Sequence, residues 1–190
     1  MKVGLYFGSF NPVHVGHLII ANHLAYNTSL EQVWLVLSPQ NPLKPAGALL
    51  NEYDRLHLLQ MAIEKEPRLR VSNIEFSLPR PSYTIDTMVY LEEKYPEHDF
   101  AVIMGSDSLE NLERWKNYRQ LLERFPIYVY LRPGHPPKAF PEGDIRICEA
   151  PLLDISSSKI RKMIRADLSV RFMIPEHVYE YMMSNRYYRS

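Results

Sequence analysis

The sequence predicts an α/β fold: an open, mainly parallel sheet with helices on both faces and a C-terminal helical segment. Three observations carry this. Short β-branched or aromatic runs alternate with segments whose apolar residues recur at helical spacing. Such alternation requires crossover connections, which pair strands in parallel. A chain of 190 residues with no internal repeat can bury one sizeable core, so residues 1–190 read as a single domain.

The elements follow in chain order. Lys2–Phe7 reads as the first strand, and Val15–Tyr26 as a helix with Leu18, Ile19, Ala21, Asn22 and Ala25 on one or two faces. Gln32–Leu37 is the second strand and Pro39–Pro45 a loop. Asn51 stands where an N-cap belongs for the helix Glu52–Lys65, whose apolar positions are Leu56, Leu59, Ala62 and Ile63. Arg70–Ile74 reads as a strand. Thr84 is placed to cap a helix over Ile85–Lys94, with Ile85, Met88, Val89 and Leu91 in register. Phe100–Met104, Ile127–Leu131 and Ile145–Cys148 complete the strands. Pro133–Pro141 is a loop, and two helices, Ser157–Ala166 and Pro175–Asn185, close the chain.

Composition excludes several classes. Lys and Arg number 22, matched by 22 Asp and Glu, so the broad positive excess of a sequence-blind nucleic-acid binder is missing. A single cysteine, Cys148, allows neither an internal disulfide nor a thiolate metal cage, which suits a reducing compartment. The opening apolar run is broken by Gly and Pro and is too short for a signal-peptide core, and nothing reaches the roughly 18 apolar residues of a membrane span. The expectation is a soluble, cytoplasmic protein with no membrane or nucleic-acid partner.

The chemistry begins at "GSFNPVHVGH", Gly8 to His17. Here the first strand ends and the first helix starts. In open α/β sheets ligands bind beyond the carboxyl ends of strands, and a helix N-terminus there offers free N–H groups and positive dipole to an anion. Residues three apart share a helix face, so His14 and His17 point the same way, into the loop crevice. Beside phosphates both rings gain reason to be protonated and to donate. Gly16 keeps the turn open to a bulky ligand. The i, i+4 spacing commoner in helical metal sites is absent, and no nearby carboxylate or Cys completes a set, so no protein metal site is expected. There is no G-x-G-x-x-G, which disfavours a nicotinamide-dependent dehydrogenase.

Near the other end stands "DISSSKIR", Asp154 to Arg161. Ser156, Ser157 and Ser158 open a helical run with hydroxyls and N–H donors suited to an anion. Arg161 lies one turn beyond Ser157, and its fork suits phosphate.

Together, "GSFNPVHVGH" and "ISSSKIR" resemble the HxGH and I-S-S-T-x-I-R signatures of the nucleotidyltransferase superfamily. Between them, "PRPSYTIDTMVYLEEKYP" and "MGSDSLENLERWKNY" resemble segments of bacterial nicotinate-nucleotide adenylyltransferases, as does "RFMIPEHVYEYMMSNRYY" near the C-terminus. The likeness covers nearly the whole chain. It departs in one loop: "SPQNPLKP" is shorter than the family's segment ending Pro-Pro-His-Lys, with Leu43 near the usual His and Lys44 as the residual cation.

The resemblance implies a Rossmann-like domain that joins ATP to nicotinate mononucleotide, giving deamido-NAD and pyrophosphate. It implies His14, His17, Lys44 and Arg161 as catalytic groups. Gly8, Ser9, Phe10, Gly105, Asp107, Ile155 and Ser156–Ser158 would join them around ATP, with Asp107 on a ribose hydroxyl. Ser82, Tyr83, Thr84, Trp115 and Tyr118 would receive the nicotinate nucleotide, Trp115 by stacking on its ring. Mg²⁺ would bridge ATP phosphates, largely through water. Taken without the resemblance, Trp115 also fits simple packing and Thr84 a simple cap. Two other readings remain: another small nucleotidyltransferase, such as a pantetheine-phosphate adenylyltransferase, and a nucleotide sensor without turnover. Oligomeric state is not legible in the sequence.

Overall fold

The computed structural model describes residues 1–40, 49–140, 142–151 and 153–189. Its sheet has six strands: β1 (Lys2–Gly8), β2 (Gln32–Leu37), β3 (Leu69–Ser72), β4 (Asp99–Gly105), β5 (Ile127–Tyr130) and β6 (Ile145–Cys148). The order is β3-β2-β1-β4-β5-β6, and every pairing is parallel. The expected mainly parallel sheet is therefore wholly parallel. The helices are α1 (Val15–Asn27), α2 (Glu52–Ile63), α3 (Thr84–Lys94), α4 (Ser106–Glu110), α5 (Tyr118–Arg124), α6 (Ser157–Arg165) and α7 (Glu176–Ser184).

Period-two alternation builds two cores. On β2, Val33, Leu35 and Leu37 face one layer, while Trp34 and Val36 face the other. On β4, Ala101 and Ile103 join the first and Phe100, Val102 and Met104 the second. Helices α1, α2, α6 and α7 pack on the first layer; α3, α4 and α5 pack on the second. Burial on both faces is why the central strands read as unbroken apolar runs.

Three local expectations need correction. The third strand spans Leu69–Ser72, and Ile74 begins a 3₁₀ turn, Ile74–Phe76. Thr84 is the first residue of α3 and does not cap it; Tyr83 holds the cap position without a side-chain bond. Helices α4 and α5 went unread because segments of 5 and 7 residues are too short to show a period. Asn51 does cap α2, its Oδ1 accepting from the Tyr53 N–H at 2.9 Å, and Ser156 caps α6 by accepting from the Lys159 N–H at 3.2 Å. Among the described residues, no helix is long and apolar enough to cross a membrane.

Strand order reverses at β1 and β4, which run side by side. The loops leaving their carboxyl ends diverge to opposite faces and open a crevice between them.

Candidate active site

The β1–α1 loop forms one wall of that crevice. His14 is the N-cap of α1 and His17 lies in its first turn. Their rings stack at 3.6 Å with 22° between planes, so the two do share one face. The His14 backbone N–H donates to His17 Nδ1 at 3.3 Å. An accepting Nδ1 places the proton of a neutral His17 ring on Nε2. Phe10 packs edge-on to His17 with centroids 5.0 Å apart. Gly16 lacks the Cβ that would stand 3.1 Å from His14 Nδ1. The glycine thus makes room for the His14 ring, a closer reason than access for ligand.

Two imidazolium ions were expected beside phosphate. In the free protein, burial, and then the charge of Arg132, push His14 down to about 4. His14 is therefore neutral at neutral pH, and a charged ring at this position requires a bound anion to offset its burial.

The Ser156–Arg161 segment closes the crevice opposite, and its serines and Arg161 line a cleft of about 490 Å³ together with His14 and His17. Yet much of its bonding capacity is spent on the facing loop. Ser157 Oγ donates to the Pro12 carbonyl at 2.9 Å, and Arg161 Nη1 to the Asn11 carbonyl at 2.7 Å. Arg161 Nε is buried and has no hydrogen-bond partner among the described residues. The two motifs are thus bound to each other before any ligand arrives.

Gly8, Ser9, Phe10, Asp107 and Ile155 also line this cleft. Asp107 lies 3.3 Å from Arg132 Nε without hydrogen-bond geometry. Its carboxylate thus faces a guanidinium that the sequence pattern alone did not place there. Gly105, expected near ATP, lies on the wall of a second cavity, of about 180 Å³. Of the five residues expected at the nicotinate nucleotide, Ser82, Tyr83, Thr84 and Trp115 share the lining of that cavity, whereas Tyr118 packs against the second core. Ser82 offers less than expected: its hydroxyl donates to Glu75 at 2.8 Å, as does that of Thr87 at 2.9 Å. The two cavities adjoin at Phe7, Gly8, Ser108 and Tyr130, which stand in both walls. Lys44 lies outside the described residues.

Four residues that line the two cavities or brace their loops do not stand out in the sequence pattern: Arg55, Arg132, Tyr188 and Glu75. Arg55, 1% exposed, donates to the carbonyls of Leu50, Ser9, Ser38 and Pro39 at 2.7 to 2.9 Å, tying the β1 loop to the β2 loop. A signal existed: it interrupts the apolar stripe of α2 formed by Leu58, Leu59 and Ala62. Arg132 follows β5, at the carboxyl end of the sheet where ligands gather, so the same rule that singled out His14 could have found it. Tyr188, on the tail after α7, donates to Asn11 Oδ1 at 2.8 Å. Glu75, in the 3₁₀ turn, left no mark in the local pattern. For Tyr188, too, only the tertiary fold brings partners 177 residues apart into contact.

A crevice at the reversal of a parallel sheet, walled by paired histidines and a serine-opened helix, is the architecture of a nucleotidyltransferase, and the chain belongs to the cytidylyltransferase-like family, which matches residues 5–163. Within that class its relatives are specific. A Cytophaga hutchinsonii protein named "Probable nicotinate-nucleotide adenylyltransferase" is 47% identical over 191 aligned positions, covering 100% of both chains. A Flavobacterium psychrophilum protein of the same name is 45% identical, again over 100% of both. The chain is a member of the nicotinate-nucleotide adenylyltransferase family. The fold also matches Plasmodium falciparum nicotinic acid mononucleotide adenylyltransferase complexed with NaAD, with a TM-score of 0.83 over 98% of this chain and 97% of that one, at 17% identity.

Proposed function

We propose that this chain transfers AMP from ATP to nicotinate mononucleotide, yielding deamido-NAD and pyrophosphate, as one cytoplasmic domain that acts on no nucleic acid. The observation that carries this reading is the junction of the two cavities. A cleft lined by phosphate-type donors meets a cavity lined by Tyr83 and Trp115, with Gly8 and Tyr130 in both walls. Joining two nucleotides through their phosphates requires such a meeting point.

The attacking group is the 5′-phosphate of the mononucleotide. Its oxygen forms the new bond to the α-phosphorus of ATP while the bond to the β-phosphate oxygen breaks, in line. The attacking oxygen is already anionic, so no general base is required, and a neutral His14 is no obstacle. Catalysis is positioning plus stabilisation of charge on the α-phosphate and the departing pyrophosphate. His17 would donate to the α-phosphate, and His14 would face the β and γ side. The N–H groups at the start of α6 and the spare Nε of Arg161 would meet the remaining phosphate oxygens. A divalent ion such as Mg²⁺ would accompany ATP and offset the charge of its phosphates, beside the His14, His17 and Arg161 side chains. Trp115 would stack on the pyridine ring, and the N–H groups opening α3 would receive its carboxylate.

The test is product analysis of purified protein with ATP, Mg²⁺ and a panel of nucleophiles. Deamido-NAD should form from nicotinate mononucleotide, and nothing from phosphopantetheine. A dephospho-coenzyme A product instead would assign the chain to the pantetheine branch; ATP binding with no product from any member would make it a sensor.

A further inference from the structure

We propose that Lys116 is a specificity-determining residue that reads the charge of the substituent on the pyridine ring. The proposal rests on the mononucleotide assignment of the cavity beside Trp115. The side chains of that wall that carry charge are Glu75, Arg114 and Lys116.

Glu75 sets the problem. It is 2% exposed and accepts the hydroxyl protons of Ser82 and Thr87. A buried carboxylate beside the cavity repels an anionic ring substituent. The Ser82 hydroxyl, its proton committed to Glu75, has lone pairs left to offer, and these suit an amide's NH₂ rather than a carboxylate. The N–H groups at the start of α3 favour an anion over a neutral amide, so they pull toward the acid while Glu75 and Ser82 pull against it. A side-chain cation on the wall adds to the first effect and offsets the second.

Lys116 is the cation the structure anchors there. Its Nζ lies 2.7 Å from Asp86 Oδ2 and 4.8 Å from the centroid of the Tyr83 ring. Asp86 lies in the N-terminal turn of α3 and Tyr83 at its cap, so the side chain bridges the two walls of the cavity, from the Trp115 segment to the Tyr83 segment. Lys116 lines the cavity and Asp86 does not. A ligand inside therefore meets the ammonium ahead of its counter-ion. Both partners are partly exposed, 43% and 49%, and an ion pair of that kind contributes little to stability. Its yield is in binding: an entering carboxylate competes with Asp86 for the ammonium, and an amide does not. Trp115 reads the ring; Lys116 reads what the ring carries. Arg114, exposed on the same wall, has no ion-pair partner to fix it among the described residues.

The measurement is kcat/KM for nicotinate and for nicotinamide mononucleotide in wild type, Lys116→Met, Lys116→Arg and Asp86→Asn. The acid-to-amide ratio should fall about tenfold in Lys116→Met, the size of one partly screened charge. It should stay within about threefold of wild type in Lys116→Arg, which keeps the charge. It should rise in Asp86→Asn, where the ammonium loses its competitor. Raising ionic strength from about 0.05 to about 0.5 M should lower the wild-type ratio and leave that of Lys116→Met nearly flat. A merely structural lysine would not confer that salt dependence. An unchanged ratio in Lys116→Met, or a lowered one in Asp86→Asn, would overturn the proposal. If wild type turns over neither mononucleotide, the proposed function fails on its own. The same ratio, read by calorimetric binding of the two mononucleotides, then decides on Lys116.

Discussion

The rings of His17 and His14 stack 3.6 Å apart, and the proposed function gives them different roles. The His14 backbone N–H donates to His17 Nδ1, which sets the tautomer of the neutral ring, and the proposed function has that ring meet the α-phosphate. A donor aimed at developing charge counts mainly in the transition state, so His17→Ala should lower kcat by about 10²–10³ and change KM far less. Steady-state kinetics with both substrates checks this, and wild-type turnover would return His17 to a packing role. His14 has a cost in acid. Its folded-state value is about 4 against 6.5 for the free side chain. Above pH 6.5 the ring is neutral whether folded or unfolded and stability is unaffected. As pH falls from 6.5 to about 4 the unfolded chain takes up a proton that the folded chain refuses, and stability drops by about 3 kcal/mol in all. Urea titrations of wild type and His14→Asn across that window should show the loss in wild type and a shallower one in the variant. Parallel curves would mean that the His14 ring is not held neutral.

The β1–α1 loop is shaped by elements from all along the chain. Arg55 on α2 holds Ser9, Arg161 on α6 holds Asn11, Ser157 holds Pro12, and Tyr188 beyond α7 holds the Asn11 side chain. A buried guanidinium facing only carbonyls is tolerated because its donors are used, so Arg55→Met should leave those carbonyls unpaired. We expect a loss of at least about 3 kcal/mol in urea unfolding, given roughly 1–3 kcal/mol for each stranded group. Tyr188→Phe removes one buried hydrogen bond and should cost about 1 kcal/mol, with a larger fall in kcat than in stability, because Asn11 borders the histidines. A Tyr188→Phe enzyme with full activity would separate the tail from the site.

The same elements show what a sequence can and cannot disclose. Strand and helix existence was legible wherever period and length were sufficient, as at β2, where both faces are apolar, and α2, where Asn51 caps. The stacked histidines were legible because helix geometry fixes i and i+3. The sequence placed Arg161 on the helix face that now lines the cleft, but its local spacing suggested phosphate alone, and only the fold reveals Asn11 across the crevice. Glu75 was invisible because its meaning depends on Ser82 and Thr87, which reach it only after α3 packs. The charge logic of the mononucleotide wall, and with it Lys116, followed from that one buried carboxylate.

At the scale of the molecule, the parallel sheet fixes where the crevice lies, and the crevice sets the reaction. Segments from near the two ends of the chain, Gly8–His17 and Ser156–Arg161, meet there because β1 lies in the middle of the sheet and α6 packs on the same layer as α1, bonded to the loop that leaves β1. Turnover should need a divalent ion, since the triphosphate charge is otherwise only partly neutralised. Chelation should abolish it, and added Mg²⁺ should restore it without any change in the thermal midpoint of the free protein. A midpoint that falls on chelation would point to an ion held by the protein itself. The central claim is that the chain moves the adenylyl group of ATP onto the phosphate of nicotinate mononucleotide, and label in the α-phosphate of ATP tests it most directly. With wild-type protein and Mg²⁺, the label should appear in deamido-NAD, with one pyrophosphate released for each dinucleotide formed. Label that stays in ATP, or that appears as AMP without a dinucleotide, would contradict it.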